Sequence, residues 1–214
     1  VGIEIINSTG FYKTPFMPDY VSTASVEELA QIMLEDIAKG AKVIGEIGTS
    51  KNEWTKDEHK VFEAAIIAQK RTNTVIITHT TLGTLIKEQV DFFLENGVNP
   101  KKVIISHVAL SNDLDAIRYA LQKGFNVAFD TIGKTKYLPD ETRVHFMKTL
   151  IQEGYMHQLL MSMDITRQSH LKKNGGVGYA YLLDTFIPML EQAGISEDTI
   201  TTITSKNFTE ILEA

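Results

Sequence analysis

The sequence predicts an α/β fold on a parallel sheet, of the (β/α)8 TIM-barrel kind, and three observations carry that reading. Val75-Ile-Ile-Thr-His-Thr-Thr81 is an apolar, β-branched run without polar alternation, as expected of a parallel strand covered on both faces. Two similar runs, Val103-Ile-Ile-Ser-His107 and Leu159-Leu-Met-Ser-Met-Asp164, also close on a residue able to ligate a metal. Helical patterns alternate with these runs, which implies parallel pairing and right-handed crossovers. An open doubly wound sheet fits the alternation as well, but it gathers its chemistry at one switch point, whereas here several strands end in ligand-type residues. The count is the difficulty: six strands in 214 residues, where a barrel needs eight and about 250 residues.

The elements follow in order. Val1-Gly-Ile-Glu-Ile-Ile6 opens the chain as a strand running to Ser8-Thr9-Gly10, and an aromatic- and proline-rich loop spans Phe11 to Thr23. Ser25 with Glu28 forms a capping box for a helix to about Ala38, with Leu29, Ile32, Met33 and Ile37 on one face. Val43-Ile-Gly-Glu-Ile-Gly48 is the second strand and places Glu46 among apolar neighbours; Thr55 N-caps a charged helix to Lys70. The His79 strand precedes a helix from about Leu85 to Asn96, closed by Gly97 and stopped by Pro100. The His107 strand leads through Ser111-Asn-Asp-Leu to a helix ending at Lys123-Gly124, and Asn126-Val-Ala-Phe-Asp130 is the fifth strand. The loop Thr131 to Pro139, the helix Asp140–Gly154 and the Asp164 strand follow. A long loop then passes Arg167, His170 and Asn174-Gly-Gly176 to two terminal helices, Tyr179–Ala193 and Asn207–Leu212. No repeat longer than the β-α unit and no linker interrupts the chain, so residues 1–214 read as one domain.

Composition narrows the function. An apolar content of 43% suffices for a core, and a net charge of −6 argues against nucleic acid and anionic membrane as partners. With no cysteine, any metal must be held by histidine and carboxylate. No run approaches the roughly 18 apolar residues of a membrane span, and residues 1–25 lack the pattern of a signal peptide, so a cytoplasmic location is the expectation.

Glu46, His79, His107 and Asp164 make the sharpest signal. Alone, each reads as a separately satisfied buried polar residue; ending four strands in one layer, they read as a site for Zn²⁺ or a similar ion with a position open for water. The pKa of that water would fall from 15.7 toward ~7, giving a hydroxide nucleophile whose proton Asp164 could take. His59, His145 and His157 read as solvent-facing, and His170 as a loop residue able to line a pocket. Asp130 ends a strand too, but in the string FDTIGK it reads as a cap for the next turn. Lys134 and Arg167 lie at the same rim, where barrels often bind phosphate and arginine grips it with paired donors. That favours an anionic substrate, against ordinary surface charge or an Asp164–Arg167 pairing. Tyr12 could close over the substrate or pack on the prolines of its loop.

The strings GEIGTS, THTTLGT, ISHVALSNDLD, FDTIGKTKYLPDETR, SMDITRQSHLKKNGGVGYAYLLDTFIP and SKNFTEIL closely resemble the phosphotriesterase-like branch of the amidohydrolase superfamily, above all its phosphotriesterase homology proteins and bacterial lactonases. The resemblance spans the whole chain. It implies a (β/α)8 barrel with a binuclear centre, usually zinc, two ions per intact chain. It implies that Glu46 is the bridging ligand, His79 and His107 the histidines of the second metal, and Asp164 the ligand of the first metal and the proton shuttle. Similarity to hydrolases of phosphorylated sugar lactones would put a phosphate near Lys134, Arg167 and Tyr12.

One departure stands out. The family's first strand ends in a His-X-His pair, which is absent here, and residue 1 aligns with the start of the third barrel strand. The chain is therefore expected to hold strands three to eight, either as part of a longer protein or as a six-stranded remnant with unpaired edges, an aggregation hazard. The leading expectation is a zinc-dependent hydrolase of a carboxylic ester or lactone, acting on a small anionic substrate of the phosphorylated sugar-lactone kind and compatible with a homodimer. The alternatives are phosphotriester hydrolysis and a non-catalytic remnant that binds a ligand or partner.

Overall fold

Six parallel strands follow one another across the sheet in strict chain order, each joined to the next through a helix. The computed structural model describes residues 4–213. The strands are β1 (Ser8–Thr9), β2 (Val43–Thr49), β3 (Val75–Thr80), β4 (Val103–Ile105), β5 (Asn126–Phe129) and β6 (Leu159–Met161). Between them run α1 (Val26–Ala38), α2 (Lys56–Thr72), α3 (Ile86–Glu95), α4 (Leu114–Gln122) and α5 (Asp140–Gln152). A doubly wound sheet would reverse its strand order at a switch point. This one never reverses, so it is a run of six consecutive β/α units of a barrel.

Helix starts obey the predicted signals. The Ser25–Glu28 capping box forms, and Thr55 builds a second one with Glu58. Asp113 caps α4 by accepting from the amides of Asp115 and Ala116.

The strands are covered on both faces. Ile44, Ile76, Ile105, Val127 and Phe129 join Leu29, Phe62, Val90, Ile117 and Met147 of the helices in the main core. Burial of side chains this size stabilises by about 1.5–3 kcal/mol each. The other face forms an inner layer, Val43, Val75, Ile104, Ala128 and Leu160, closed by Phe208, Ile211 and Leu212 of the last helix, α8 (Asn207–Glu213). Lys102, 3% exposed, donates from Nζ to the Ile211 carbonyl and ties that helix to the start of β4.

Four expectations are corrected. The first strand is shorter than expected: positions 1–3 of the Val1–Ile6 run lie outside the described residues, residues 4–7 have no regular structure, and among the described residues pairing is confined to Ser8 and Thr9 against Val43 and Ile44. Ile5, 79% exposed, has no sheet face to pack on. The fourth and sixth strands stop at Ile105 and Met161, short of His107 (φ 61) and Asp164 (φ 46), whose left-handed backbone lies outside the β region. The Tyr179–Ala193 helix starts later, as a π-helical turn at Leu182–Phe186 that passes into α6 (Ile187–Gln192). The final helical segment instead starts earlier, at α7 (Glu197–Thr201), and runs through a π-helical turn at Thr202–Lys206 into α8. Its Thr- and Ile-rich sequence is a poor helix former, but buried Ile200, Thr202 and Ile203 hold it against the core. No helix among the described residues is long and apolar enough to cross a membrane.

Candidate metal centre

Strand alternation carries His79 to the cavity. Val75 and Ile77 pack in the inner layer, and a period of two puts His79 on their side. Glu46 arrives by a bulge. Between the pairs Ile44↔Ile76 and Ile47↔Thr78, β2 has two residues where β3 has one. The extra residue re-aims the side chain. Gly45 makes the bulge possible: at φ 148 a Cβ there would lie 2.3 Å from the Ile77 carbonyl oxygen. The left-handed backbone of His107 turns its ring to the same point just beyond β4.

The three side chains converge. The ligand atoms of Glu46, His79 and His107 all lie within 4.8 Å of one another. Glu46 Oε1 is 3.4 Å from His107 Nε2, and Glu46 Oε2 is 3.7 Å from His79 Nδ1.

Hydrogen bonds behind the rings decide which nitrogens face the carboxylate. Nδ1 of His107 donates to Asp130 Oδ1 at 2.8 Å, and the His107 amide donates to both oxygens of Asp130. Nε2 of His107 is thereby left with its lone pair toward Glu46. The Thr81 hydroxyl spends its one hydrogen on the Thr49 carbonyl at 2.7 Å, so it accepts from Nε2 of His79 at 3.1 Å. That leaves Nδ1 of His79 as the lone pair facing Glu46. Two lone pairs and a carboxylate then face one space; the Tyr12 hydroxyl, 3.2 Å from the His79 ring nitrogens, can donate to the lone pair there, and a cation among the three would relieve the repulsion that remains. This donor set fits a divalent cation, with the outer partners orienting the imidazoles. Without a metal a proton answers the same field. Burial opposes charge on His107, but Asp130, Glu46 and Asp164 outweigh it and lift its pKa to about 9.

All seven residues singled out in the sequence line one cavity of about 980 Å³: Tyr12, Glu46, His79, His107, Lys134, Asp164 and Arg167. They are not equivalent there. Asp164 stands outside the three-residue cluster and pairs with the Lys134 ammonium, not with Arg167. The Tyr12 hydroxyl lies 3.2 Å from the ring nitrogens of His79, and the two rings meet edge to face at 4.8 Å. Burial, then the charges of Glu46 and Asp164, push the Tyr12 phenol up to about 12, with Arg167 opposing them. His170 lines the same cavity, as do Lys13 and Lys136.

Two readings change. Asp130 does not cap the next turn; it is the anchor of His107, 6% exposed. His59 is not solvent-facing but half-buried, stacked on Trp54 at 4.4 Å; His145 and His157 are exposed. Sequence reasoning missed Thr81 as an anchor, although its place two residues after His79 on β3's continuation was the available signal.

Several oriented donors around an inner pocket, supplied by the carboxyl ends of successive parallel strands, define the class: a metal-dependent hydrolase on a TIM barrel. The chain belongs to the phosphotriesterase family, whose model matches residues 1–212. It is 43% identical over 213 residues to the phosphotriesterase homology protein of Escherichia coli, an alignment covering 96% of this chain and 73% of that protein. A crystal structure of that E. coli protein, complexed with phosphate in its active site, superimposes with a TM-score of 0.95 at 41% identity, covering 98% of this chain and 75% of the other. An aryldialkylphosphatase of Saccharolobus solfataricus is 29% identical over 222 residues (96% of this chain, 71% of the relative). A phospho-furanose lactonase of Mycoplasmopsis synoviae is 29% identical over 238 residues (99% and 67%).

Proposed function

We propose that this site hydrolyses a carboxylic ester or lactone, and that the substrate is a small lactone carrying a phosphate. The observation that carries the proposal is charge: the cavity holding Glu46, His79 and His107 is ringed by Lys13, Lys134, Lys136 and Arg167. Glu46, His79 and His107 would hold zinc or a related ion, with Asp164 as a further ligand in reach of the same cavity. Such an ion supplies Lewis-acid chemistry, polarising the carbonyl and acidifying water.

The chain's own residues do the rest. Asp130 and Thr81 keep the imidazoles in the tautomers that present a lone pair. Arg167 and Lys134 bind the substrate's phosphate, so the substrate competes with Asp164 for Lys134. Asp164, released, takes the proton of the attacking water and returns it to the leaving oxygen. Tyr12, kept protonated, covers the substrate over His79. The phosphate of the E. coli structure and the lactonase of M. synoviae support an anionic substrate. The aryldialkylphosphatase relative supports phosphotriester hydrolysis instead, but a neutral triester makes no use of four cations.

The test is a panel of lactones with and without a phosphate, alongside a neutral phosphotriester, assayed on zinc-loaded protein. A phosphorylated lactone should lead by at least about tenfold in kcat/KM, the worth of one well-made charged contact. Asp164→Asn should cost 10²–10⁴ in kcat, the usual scale of a lost proton relay. Preference for the neutral triester would transfer the assignment, and inert zinc-loaded protein would end it.

A further inference from the structure

We infer that Glu58, outside the cavity, is a positioning residue that sets Tyr12 against His79. It rests on the proposed function only in taking Tyr12 as a substrate contact.

The chain carries two copies of one motif. Ser25–Glu28 and Thr55–Glu58 are both capping boxes, alike in spacing and in backbone geometry. Glu28 is exposed and, among the described residues, its side chain bonds only Ser25. Glu58 is 0% exposed. Capping a helix needs no burial, and burying a carboxylate is costly unless donors replace its water.

Glu58 has those donors, from three segments. Its Oε1 accepts from the Ser50 hydroxyl at 2.6 Å and the Thr14 amide at 3.2 Å. Its Oε2 accepts from the amides of Thr55 at 2.9 Å and Ser50 at 3.2 Å. Among the described residues no lysine or arginine pairs with it. Neutral donors and the N-terminal end of α2 carry the charge.

The consequence lies two residues before Thr14, at Tyr12. The loop after β1 leaves the sheet at Gly10 and must bring Tyr12 over His79. It is pinned at Tyr12, whose carbonyl accepts from the Gly48 amide at 2.8 Å, and at Thr14, by Glu58. Thr14 also meets Thr55 hydroxyl to hydroxyl at 3.1 Å. With its own carbonyl held and Thr14 fixed two residues on, the Tyr12 backbone is set where its ring meets His79. Glutamine is the same size, but its amide nitrogen cannot accept, so at least one of the two donor pairs loses its partner.

The experiment follows the Tyr12 ring directly. Ring-labelled tyrosine is observed by carbon–proton correlation NMR in the full chain, the Tyr12 signal being assigned by its loss in Tyr12→Phe. Glu58→Gln should shift or broaden that signal and leave the other tyrosines in place, and Ser50→Ala, which removes the shortest donor, should do so to a lesser degree. Glu28→Gln, the same change in the exposed box, should leave every tyrosine signal unmoved. With a turned-over lactone, Glu58→Gln should raise KM by about tenfold with little change in kcat, and should add nothing in the Tyr12→Phe background. A Tyr12 signal unmoved in folded Glu58→Gln and Ser50→Ala, or kinetic losses that add fully to Tyr12→Phe, would overturn the inference. Absence of any turnover by the parent would count against the proposed function alone, since the NMR comparison stands without it.

Discussion

Asp130 Oδ1 lies 2.8 Å from His107 Nδ1, and the same carboxylate accepts from the His107 amide. One aspartate thus fixes both the left-handed backbone and the ring tautomer of a candidate ligand whose strand has already ended. Alternation along β4 would have sent His107 to the helix side.

Asp130→Asn tests that relationship. The amide can still meet the ring, but it no longer holds Nδ1–H against a negative charge. Zinc affinity, read by competition with a chelator, should fall by about 10–100-fold, the usual cost of losing a ligand's outer partner. Thr81→Val, which frees Nε2 of His79, should fall in the lower part of that range. Unchanged affinity in both would mean the rings are oriented by packing alone.

The raised pKa of His107 has a sign that can be checked. In metal-free protein its folded value of about 9 stands above the ordinary histidine value of 6.5. The protonated ring therefore contributes its full stability below pH 6.5 and loses it as pH rises through about 9. The full shift corresponds to about 3 kcal/mol. Urea unfolding of chelator-treated protein across that window should show the decline, and zinc affinity should rise over the same window as the proton is displaced. A flat stability profile would remove the field attributed to Asp130 and Glu46.

Beneath the Lys134 loop, Arg143 and Asp140 form an ion pair of 2.7 Å at 0% and 2% side-chain exposure. Asp140 also accepts from the Gly133 amide and the Tyr181 hydroxyl. Removing it with Asp140→Ala strands a buried guanidinium and should destabilise by about 3–5 kcal/mol. Thermal unfolding measures the loss, and proteolysis should open the chain first between Thr131 and Pro139. A loss below about 1 kcal/mol would mean water reaches Arg143.

These sites explain what was and was not legible in the sequence. His79 was legible because its strand runs from Val75 without a break, so the period of two sets the direction of its side chain. Glu46, His107 and Asp164 were legible as residue types near strand ends, but not in their directions. A bulge turns the first, and left-handed backbone turns the other two, features that no periodicity reports. Asp130 was misread because a strand-ending aspartate before Thr-Ile-Gly has a local use as a turn cap, and its real partner is 23 residues away. Glu58 was read as part of a charged helix, since the Thr14 and Ser50 donors that bury it come from other segments. The helix from Glu197 was invisible to propensity, because tertiary burial of Ile200 and Ile203 overrides a β-branched run.

The convergence of Glu46, His79 and His107 on one cation is the claim on which the rest depends. X-ray absorption at the zinc edge of zinc-loaded protein tests it most directly. The account predicts imidazole scattering that diminishes in His79→Ala and again in the double variant with His107→Ala, together with falling zinc affinity. A spectrum without imidazole, or one that both histidine replacements leave unchanged, would contradict it.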